Sequence, residues 1–317
     1  MIKRTLASCT IAFAEASSMQ RTRLHARETV RDDMIEVAGA TYLLGRADSR
    51  RPDEGPAHLV HVAPFHIDRT LVTRREFARF VEAKRHRTTA ERRGWGQVAE
   101  EGMDDWAWER VAGASWRRPY KTEGVDTKSF EQPEAPVVMV SYDDAAAFCS
   151  FRGKRLPTEH EWVLAMRDGN PNRLVEEAPR FPWGNDRRRA DGTPGHNAWE
   201  GTSHHTNERH DGYVYVSPVR AFPPNARGVY DAVGNVWQWT STPYVVDAYA
   251  SEARGEANAR TKGASEGMKY TLRGGSWWCG KCACEGDGLH YRGKAPRDAT
   301  FNNVGFRCAR DAHEGPE

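Results

Sequence analysis

The sequence predicts a mixed α+β fold with little regular secondary structure. In the first half of the chain, short alternating strand patterns occur together with helices that begin at recognisable capping residues. After residue 170 the helical pattern nearly disappears and turn signals dominate. The 28 glycines and 17 prolines among 317 residues also fit a chain with many turns and short connections.

The composition argues against several classes of protein. A formal net charge of +2 gives no reason to expect nucleic acid as a partner. No apolar run approaches the roughly 18 residues that can span a bilayer, so no membrane is expected. The 11 Trp, 10 Tyr and 11 Phe argue against disorder, and the length allows a substantial core.

The N-terminus, residues 1–33, is predicted to be a disordered tail or a weak targeting segment. Met1-Ile2-Lys3-Arg4 precedes a short apolar stretch that ends at Ala14, which has the shape of a weak signal peptide. That stretch is short and interrupted by polar residues, so we expect a cytoplasmic protein, with export as the alternative.

The folded part is expected to begin at Met34 with a series of short strands. Alternating apolar patterns predict strands at 34–37, 41–45, 58–62 and 65–68. Residues 88–135 show no sustained period, but their four tryptophans, Trp95, Trp106, Trp108 and Trp116, indicate a packed, irregular region. The run 137–140 predicts one further short buried strand.

Three helices have clear start signals. Thr73 followed by Glu76 is a capping box, and it predicts an amphipathic helix over 74–84. Thr158 followed by Glu161 is a second capping box, and Ser141 caps a helix between the two that Gly153 ends. The loops that follow residue 170 offer backbone carbonyls and Asn or Asp oxygens, which are the ligands that calcium prefers.

Three of the six cysteines, Cys279, Cys282 and Cys284, lie within six residues, directly after two glycines and beside two tryptophans. Thiolates this close together suit a soft metal. Because no second cysteine pair completes a four-ligand zinc or iron–sulfur set, Cu(I) fits two thiolates best. The alternative is a disulfide, or buried cysteines that serve only as small hydrophobic residues.

Five ordered motifs resemble the formylglycine-generating enzyme family, also called sulfatase-modifying factors. They are Arg155-Leu156-Pro157-Thr158-Glu159-His160-Glu161-Trp162, Phe181-Pro182-Trp183-Gly184-Asn185, Gly234-Asn235-Val236-Trp237-Gln238-Trp239, Arg273-Gly274-Gly275-Ser276 and Asn303-Val304-Gly305-Phe306-Arg307. The resemblance covers residues 34–312, essentially the whole folded chain, and leaves 313–317 as a C-terminal tail. It implies a single irregular, modified C-type-lectin-like domain.

The resemblance also implies an activity, the O2-dependent conversion of a peptidyl cysteine to Cα-formylglycine. In the family, Cu(I) is held between two cysteines separated by four residues, and Cys279 and Cys284 match that spacing. Ser276 and Trp237 match residues that line the copper pocket. Cys282 has no counterpart in the family pattern. We expect it to be a buried bystander, with an adventitious third ligand or a resolving thiol as the alternatives.

Two structural calcium sites are implied as well. Asn197 and Asp211 match the side-chain ligands of one site, with the carbonyls of Ala198 and Tyr213. At the second site, Asp231 and Gln238 replace the usual Asn and Glu, alongside the carbonyls of Gly234 and Val236. Exchanging both residue types keeps one carboxylate and one amide.

Two further groups of residues have mainly structural interpretations. Cys149 and Cys308 match a family pair that can form a disulfide, although cytoplasmic cysteines more often stay reduced. His204, His205 and His210 suggest the iron site of sulfoxide synthases that share this fold. Those enzymes take their histidines from an additional domain, so a solvated loop is expected here.

The chain departs from the family pattern after Cys284. Relatives that act on sulfatases carry a basic, aromatic run there, whereas this chain has Glu285-Gly286-Asp287-Gly288. Arg292 does match a family arginine. We expect Glu285, Asp287 and Arg292 to contact the substrate, and the two acidic groups to favour a thiol that is smaller or more basic than a sulfatase peptide.

The sequence therefore predicts a monomeric, copper-dependent oxidase that uses O2 on a cysteine-containing peptide or a small thiol. The alternative is a non-catalytic ligand-binding or accessory protein on the same scaffold. The Cys279/Cys284 spacing argues against that alternative, because a binding module has no need of paired thiolates.

Overall fold

The computed structural model describes residues 33–105, 107–124, 126–167, 170, 173–174, 176–256, 267–282 and 286–312. Within these ranges the chain alternates short strands with short helices, which confirms the predicted mixture of helix and strand. None of the helices in the described ranges has the length and apolar character needed to cross a membrane.

The four predicted N-terminal strands are present: β1 (Met34–Val37), β2 (Ala40–Leu44), β3 (His58–Val62) and β4 (Phe65–Asp68). Although β1 and β2 follow each other closely, they join different sheets. β1 pairs antiparallel with β4, and β2 pairs antiparallel with β3. Between β2 and β3 lies a short 3-10 helix, Pro52–Glu54.

The predicted helix starts are confirmed. α1 (Arg74–Lys84) begins with a capping box at Thr73, and a short α2 (Thr89–Arg93), which the sequence did not predict, begins with one at Thr88. α3 (Tyr142–Phe151) follows Ser141, and α4 (Glu159–Met166) follows Thr158. In each case the side-chain oxygen of the capping residue accepts a hydrogen bond from a backbone N–H of the first turn, which is otherwise unsatisfied.

The irregular region before α3 contains a hairpin that the sequence did not predict, formed by β5 (Trp95–Val98) and β6 (Glu109–Ala112). A 3-10 helix, Asp126–Glu131, follows. Trp95, Trp108 and Trp116 are all at least half-buried, as expected, and Trp106 lies outside the described residues.

The predicted strand at 137–140 is wrong. Its four residues are buried, but Met139 has a φ of 62°, which interrupts an extended strand. The backbone N–H groups of Val137 and Met139 instead donate to the carbonyls of Val72 and Phe301. Burial was therefore predicted correctly, and backbone conformation was not.

A four-stranded sheet lies at the centre of the second half of the chain, in the order β10-β7-β8-β9. Its strands are β7 (Trp237–Pro243), β8 (Lys269–Arg273), β9 (Gly293–Pro296) and β10 (Val304–Gly305), and the helix α5 (Ala248–Ala253) connects the first two. β7 and β10 are parallel, whereas β8 is antiparallel to both β7 and β9. This order brings the start of β7, the end of β8 and the residue before β10 together.

A disulfide between Cys149 and Cys308 joins α3 to the segment before the last strand, β11 (Ala309–Asp311). β11 pairs antiparallel with β4, so the end of the described chain closes the first sheet. Phe77, Phe148 and Phe306 pack around this crosslink in one hydrophobic cluster.

Candidate active site

A double-glycine turn begins the candidate active site. After β8 ends at Arg273, the chain turns through Gly274 and Gly275, whose φ angles are 94° and 75°. A Cβ atom on Gly275 would lie 2.5 Å from the Cα of Asp287. Only glycine tolerates both this conformation and this close approach, so the turn lets the segment that contains Asp287 pack directly against it.

Ser276 and Cys279 form a buried hydroxyl–thiol pair just after this turn. Their Oγ and Sγ atoms are 3.7 Å apart. Ser276 Oγ accepts hydrogen bonds from Asn303 Nδ2 at 2.9 Å and from the N–H of Trp278 at 3.3 Å. Because these bonds occupy both lone pairs of the oxygen, its own proton is left to donate to the sulfur. A hydrogen bond from this hydroxyl would stabilise a thiolate at Cys279 and oppose the burial that favours the neutral thiol.

Trp237 forms the adjoining wall. It lies opposite Val304 in the parallel β7–β10 pair, and its backbone N–H donates to the carbonyl of Asn303 at 2.9 Å. A Cβ atom on Gly286 would lie 2.9 Å from Trp237 Cζ2 and 3.4 Å from Cys279 Sγ. The indole, the sulfur and the Gly286 backbone therefore lie against one another, and this leaves little room for water on that side of the thiol.

A cavity of about 420 Å³ opens at this point. Its aromatic lining consists of Trp108, Trp237, Trp278, Tyr291 and Phe301, and Cys279 contributes to the wall. The charged residues among its described lining, Arg51, Arg292 and Lys294, are all basic. The volume is large enough for a short peptide segment or a small thiol.

The second predicted copper ligand, Cys284, and the predicted substrate contact Glu285 both lie outside the described residues. The chemistry of the described half of the pair fits a soft metal ion. Cys279 is 1% exposed, lies beside a hydroxyl donor and faces a cavity with mainly aromatic walls. A buried thiolate in such surroundings is a suitable ligand for Cu(I).

Arg292 lines the cavity, but its guanidinium is bound to the protein itself. Nε and Nη2 donate to the two carboxylate oxygens of Glu159 at 2.7 and 3.1 Å. Nη1 donates to the carbonyls of Asp53 and Val245 at 3.0 and 3.1 Å. The side chain thus holds the cavity wall together, and the expectation that it binds substrate finds no support in this geometry.

Asp287 does not border the groove, which corrects the expectation from the sequence. The residue is fully buried, with His196 Nε2 at 2.8 Å, Arg187 at 2.5 Å and Arg180 at 3.4 Å from its carboxylate. Burial alone would raise the pKa of Asp287, but the hydrogen bond with His196 and the charges of His196 and both arginines outweigh it and lower that pKa. Asp287 therefore anchors the segment after Cys284 and cannot repel an acidic substrate.

The first predicted calcium set lies together in one place. The Asp211 carboxylate accepts hydrogen bonds from the N–H groups of Ala198 at 3.0 Å and Tyr213 at 2.9 Å. Asn197 is buried and uses only its Nδ2 in its two hydrogen bonds, so its Oδ1 can serve as a ligand. Burial, together with the nearby Glu200, raises the pKa of Asp211 to about 6, although the hydrogen bonds from the backbone of Tyr213 and Ala198 act in the opposite direction. A partly buried carboxylate with a second carboxylate nearby fits a bound cation.

The second predicted set does not fit a cation. Gln238 Oε1 accepts hydrogen bonds from Trp162 Nε1 at 2.8 Å and from Arg307 Nε at 2.7 Å, so neither lone pair remains for a metal. Arg307 also donates to the carbonyl of Asp231 at 2.8 Å, which places its buried positive charge beside this set. Gly234 and Val236 lie in the loop before β7. At Gln238, the Arg307 guanidinium therefore occupies the oxygen that the predicted calcium ion would need.

The histidines divide into two groups. His205 and His210 are exposed, as the expected solvated loop requires. His204 is fully buried, so the expectation is wrong for this residue. Its ring stacks on Trp278, with 3.7 Å between the ring centroids. No pattern in the sequence predicts this contact.

Sequence reasoning also missed several members of the site. Asn303 holds the Ser276 hydroxyl, and it could have been found because it opens the last of the five motifs. Trp108, Tyr291 and Phe301 line the cavity from three separate segments. No local pattern marks them, because their shared position arises only from the packing of distant parts of the chain.

Comparison with known proteins supports the similarity that the motifs suggest. Residues 20–312 match the model of the sulfatase-modifying factor enzyme 1-like domain. The chain is 36% identical to the formylglycine-generating enzyme of Bos taurus over 294 residues, which covers 88% of this chain and 74% of that one. It is also 36% identical to the inactive Cα-formylglycine-generating enzyme 2 of Bos taurus over 306 residues, which covers 90% of each chain. Overall identity therefore does not separate active from inactive relatives.

The fold is similar to a solved structure as well. The structure of PvdO from Pseudomonas aeruginosa matches with a TM-score of 0.60 and 24% sequence identity, over 88% of this chain and 94% of that one. At this identity the likeness concerns the fold alone.

Proposed function

Because the chain belongs to the sulfatase-modifying factor family, whose members include formylglycine-generating enzymes, we propose that it oxidises a peptidyl cysteine to Cα-formylglycine. One observation carries the proposal: the buried Ser276–Cys279 pair at the wall of an aromatic cavity. The proposal includes the Cys279/Cys284 copper pair, O2 as oxidant, a monomer and the modified C-type-lectin-like scaffold.

The described residues have definable roles in this reaction. Ser276 directs a hydrogen bond at Cys279 Sγ and stabilises its thiolate form, while Asn303 holds the hydroxyl in place. Trp237 and Trp278 exclude water from the thiol and give the substrate an apolar surface. Copper held by Cys279 and Cys284 would supply the one-electron chemistry that O2 requires.

The electron balance of the reaction requires a second thiol. Conversion of a CH2SH group to an aldehyde with release of sulfide takes two electrons from the substrate. Reduction of O2 to water takes four electrons, so two further electrons must come from a thiol reductant that becomes a disulfide. Activity therefore requires a reductant in the assay as well as O2.

Mass spectrometry of a peptide with the Cys-x-Pro-x-Arg sulfatase core, after aerobic incubation with copper-loaded protein and a thiol reductant, tests the proposal. The aldehyde product is expected with wild type and not with Cys279→Ser, and a peptide with Ala in place of its Cys serves as the matched control. Product formed equally by Cys279→Ser would refute the role of this thiol.

The similarity to an inactive relative supports a second candidate, a non-catalytic accessory protein. That protein would bind the peptide without changing its mass, even when copper, O2 and reductant are all present. The same assay therefore separates the two functions, provided that peptide binding is measured in parallel.

We also propose calcium at the first oxygen set, formed by Asn197, Asp211 and the carbonyls of Ala198 and Tyr213. The partly buried carboxylate of Asp211 and its raised pKa support this assignment. We do not extend the proposal to the second set, since Arg307 already occupies the oxygen of Gln238.

A further inference from the structure

A second cluster of metal-ligating side chains lies beside the cavity, next to its wall residue Trp278. Asp105, His204 and Cys282 come from three distant parts of the chain, and their ligand atoms all lie within 4.8 Å of one another. Asp105 and His204 contact each other, with Asp105 Oδ1 2.7 Å from His204 Nδ1. None of the three belongs to the proposed copper pair or to the calcium sets.

His204 is oriented as a metal ligand would be. Its Nε2 lies 2.9 Å from the carbonyl of Trp278, and because a carbonyl only accepts, Nε2 carries the proton. Nδ1 is buried and makes no hydrogen bond of acceptable geometry, even though Asp105 Oδ1 is close. Metal-binding histidines typically donate their second ring N–H to a carbonyl in this way, which leaves the other nitrogen for the ion.

The neighbours of His204 favour its neutral form. The ring is fully buried and packs against the indoles of both Trp199 and Trp278. A neutral imidazole keeps a lone pair on Nδ1, and a carboxylate cannot donate to it. A cation shared by the two groups resolves this contact.

We propose that Asp105, His204 and Cys282 form a Zn²⁺ site in which water is the fourth ligand. One thiolate, one carboxylate and one neutral imidazole balance the charge of a divalent ion, and all three are common zinc ligands. Calcium would require mainly oxygen ligands, and Cu(I) gains little from a carboxylate. Two ligands about 2.0–2.3 Å from a tetrahedral ion lie roughly 3.3–3.7 Å apart. Asp105 Oδ1 is now 2.7 Å from His204 Nδ1 and must therefore move away from it to admit the ion, which its half-exposed side chain allows. The set as a whole, whose ligand atoms lie within 4.8 Å of one another, must draw together slightly.

The bound ion would fix the chain next to the active site. Cys282 lies three residues after Cys279, so the ion would join this segment to the loop of Asp105 and to His204. A backbone hydrogen bond already joins the segments of Asp105 and His204, since the N–H of Gly102 donates to the carbonyl of His204 at 2.9 Å. Cys282 is therefore a ligand of a separate site and not a bystander.

Titration of the reduced, full-length protein with Co²⁺, an optical probe for zinc sites, tests the assignment. A cobalt–thiolate charge-transfer band is expected for wild type and for Cys279→Ser, and it should disappear in Cys282→Ser. His204→Gln should weaken cobalt binding at least about tenfold, whereas the matched control His205→Gln, at the exposed neighbouring histidine, should bind as wild type does. One equivalent of Zn²⁺ should displace the cobalt.

Two results would overturn the proposal. One is the absence of a band in wild type. The other is a band that persists in Cys282→Ser and disappears in Cys279→Ser, since the thiolate would then belong to the copper pair. If the variant at the fully buried His204 unfolds, Asp105→Asn is tested in its place, because that half-exposed position tolerates the change. Unchanged cobalt affinity in folded Asp105→Asn would show that the Asp105 carboxylate is not a ligand.

Discussion

Replacing Glu159 by Gln should strongly destabilise the protein and loosen the cavity wall. The Glu159 carboxylate is fully buried and binds Arg292 through two hydrogen bonds, of 2.7 and 3.1 Å. Arg273, also buried, lies 3.4 Å from the same carboxylate. The substitution keeps the shape of the side chain, but it removes the one negative charge that these two guanidinium groups share.

The size of the effect follows from these contacts. Breaking a buried ion pair by neutralising one partner costs about 3–5 kcal/mol, because an uncompensated charge remains. The Gln amide would also direct a donor at the Nη2 group of Arg292, where Glu159 now accepts. Since Arg292 keeps the carbonyls of Asp53 and Val245, we expect a loss of about 3 kcal/mol, the lower end of the range.

Urea unfolding of Glu159→Gln and wild type measures this loss as a shift of the midpoint at constant slope. Glu134→Gln is the matched control, because its ion pair with Arg75 is half-exposed on both sides and is worth about 1 kcal/mol or less. Equal, small losses in the two variants would refute the reasoning, since burial of the pair would then contribute nothing.

The remaining predictions concern calcium, packing, the disulfide and substrate charge. The pKa of Asp211 in the fold, about 6, lies above its ordinary value of 3.8, so ionisation destabilises the metal-free fold. Stability of the metal-free protein should therefore fall as pH rises between these values. At pH 7, Asp211→Asn should melt at a higher temperature than wild type without calcium and at a lower temperature than wild type with saturating calcium. If the two proteins melt in the same order in both conditions, that result would argue against the calcium site. Gly286→Ala, whose added methyl would lie 2.9 Å from Trp237, should lower the free energy of unfolding in urea by about 1–3 kcal/mol and reduce turnover. Wild-type stability and turnover in this variant would show that Trp237 can move to accommodate the methyl group. Cys149→Ala should lower the melting temperature of the oxidised protein, because it removes a crosslink between residues 159 positions apart. In the chain-entropy model, a crosslink that closes a loop of this length stabilises the fold by about 5 kcal/mol. An unchanged melting temperature would contradict this prediction. Lys294→Glu, at an exposed cavity residue, should raise KM for a cysteine peptide with acidic neighbours and lower it for one with basic neighbours, and equal KM ratios would exclude an electrostatic role.

The sequence by itself determined the features that depend on a few neighbouring residues. The capping boxes at Thr73 and Thr158 were correctly predicted, since a cap and its partner lie three residues apart and their hydrogen bonds form within one turn. The five motifs identified the family correctly for the same reason, because each consists of a few neighbouring residues and their order can be read directly from the chain.

The tertiary structure alone decided which way individual side chains face. Asp287 follows Cys284 by three residues, so the sequence suggested an exposed acidic groove edge, yet the chain buries it against His196 and Arg180, which lie 91 and 107 residues away. His204 was expected in solvent and instead stacks on Trp278, 74 residues further along the chain. Charge and hydrogen-bonding capacity can be read from a residue type, but the partner that satisfies them is set by packing between distant segments, and packing decides whether a polar group serves the site or the scaffold.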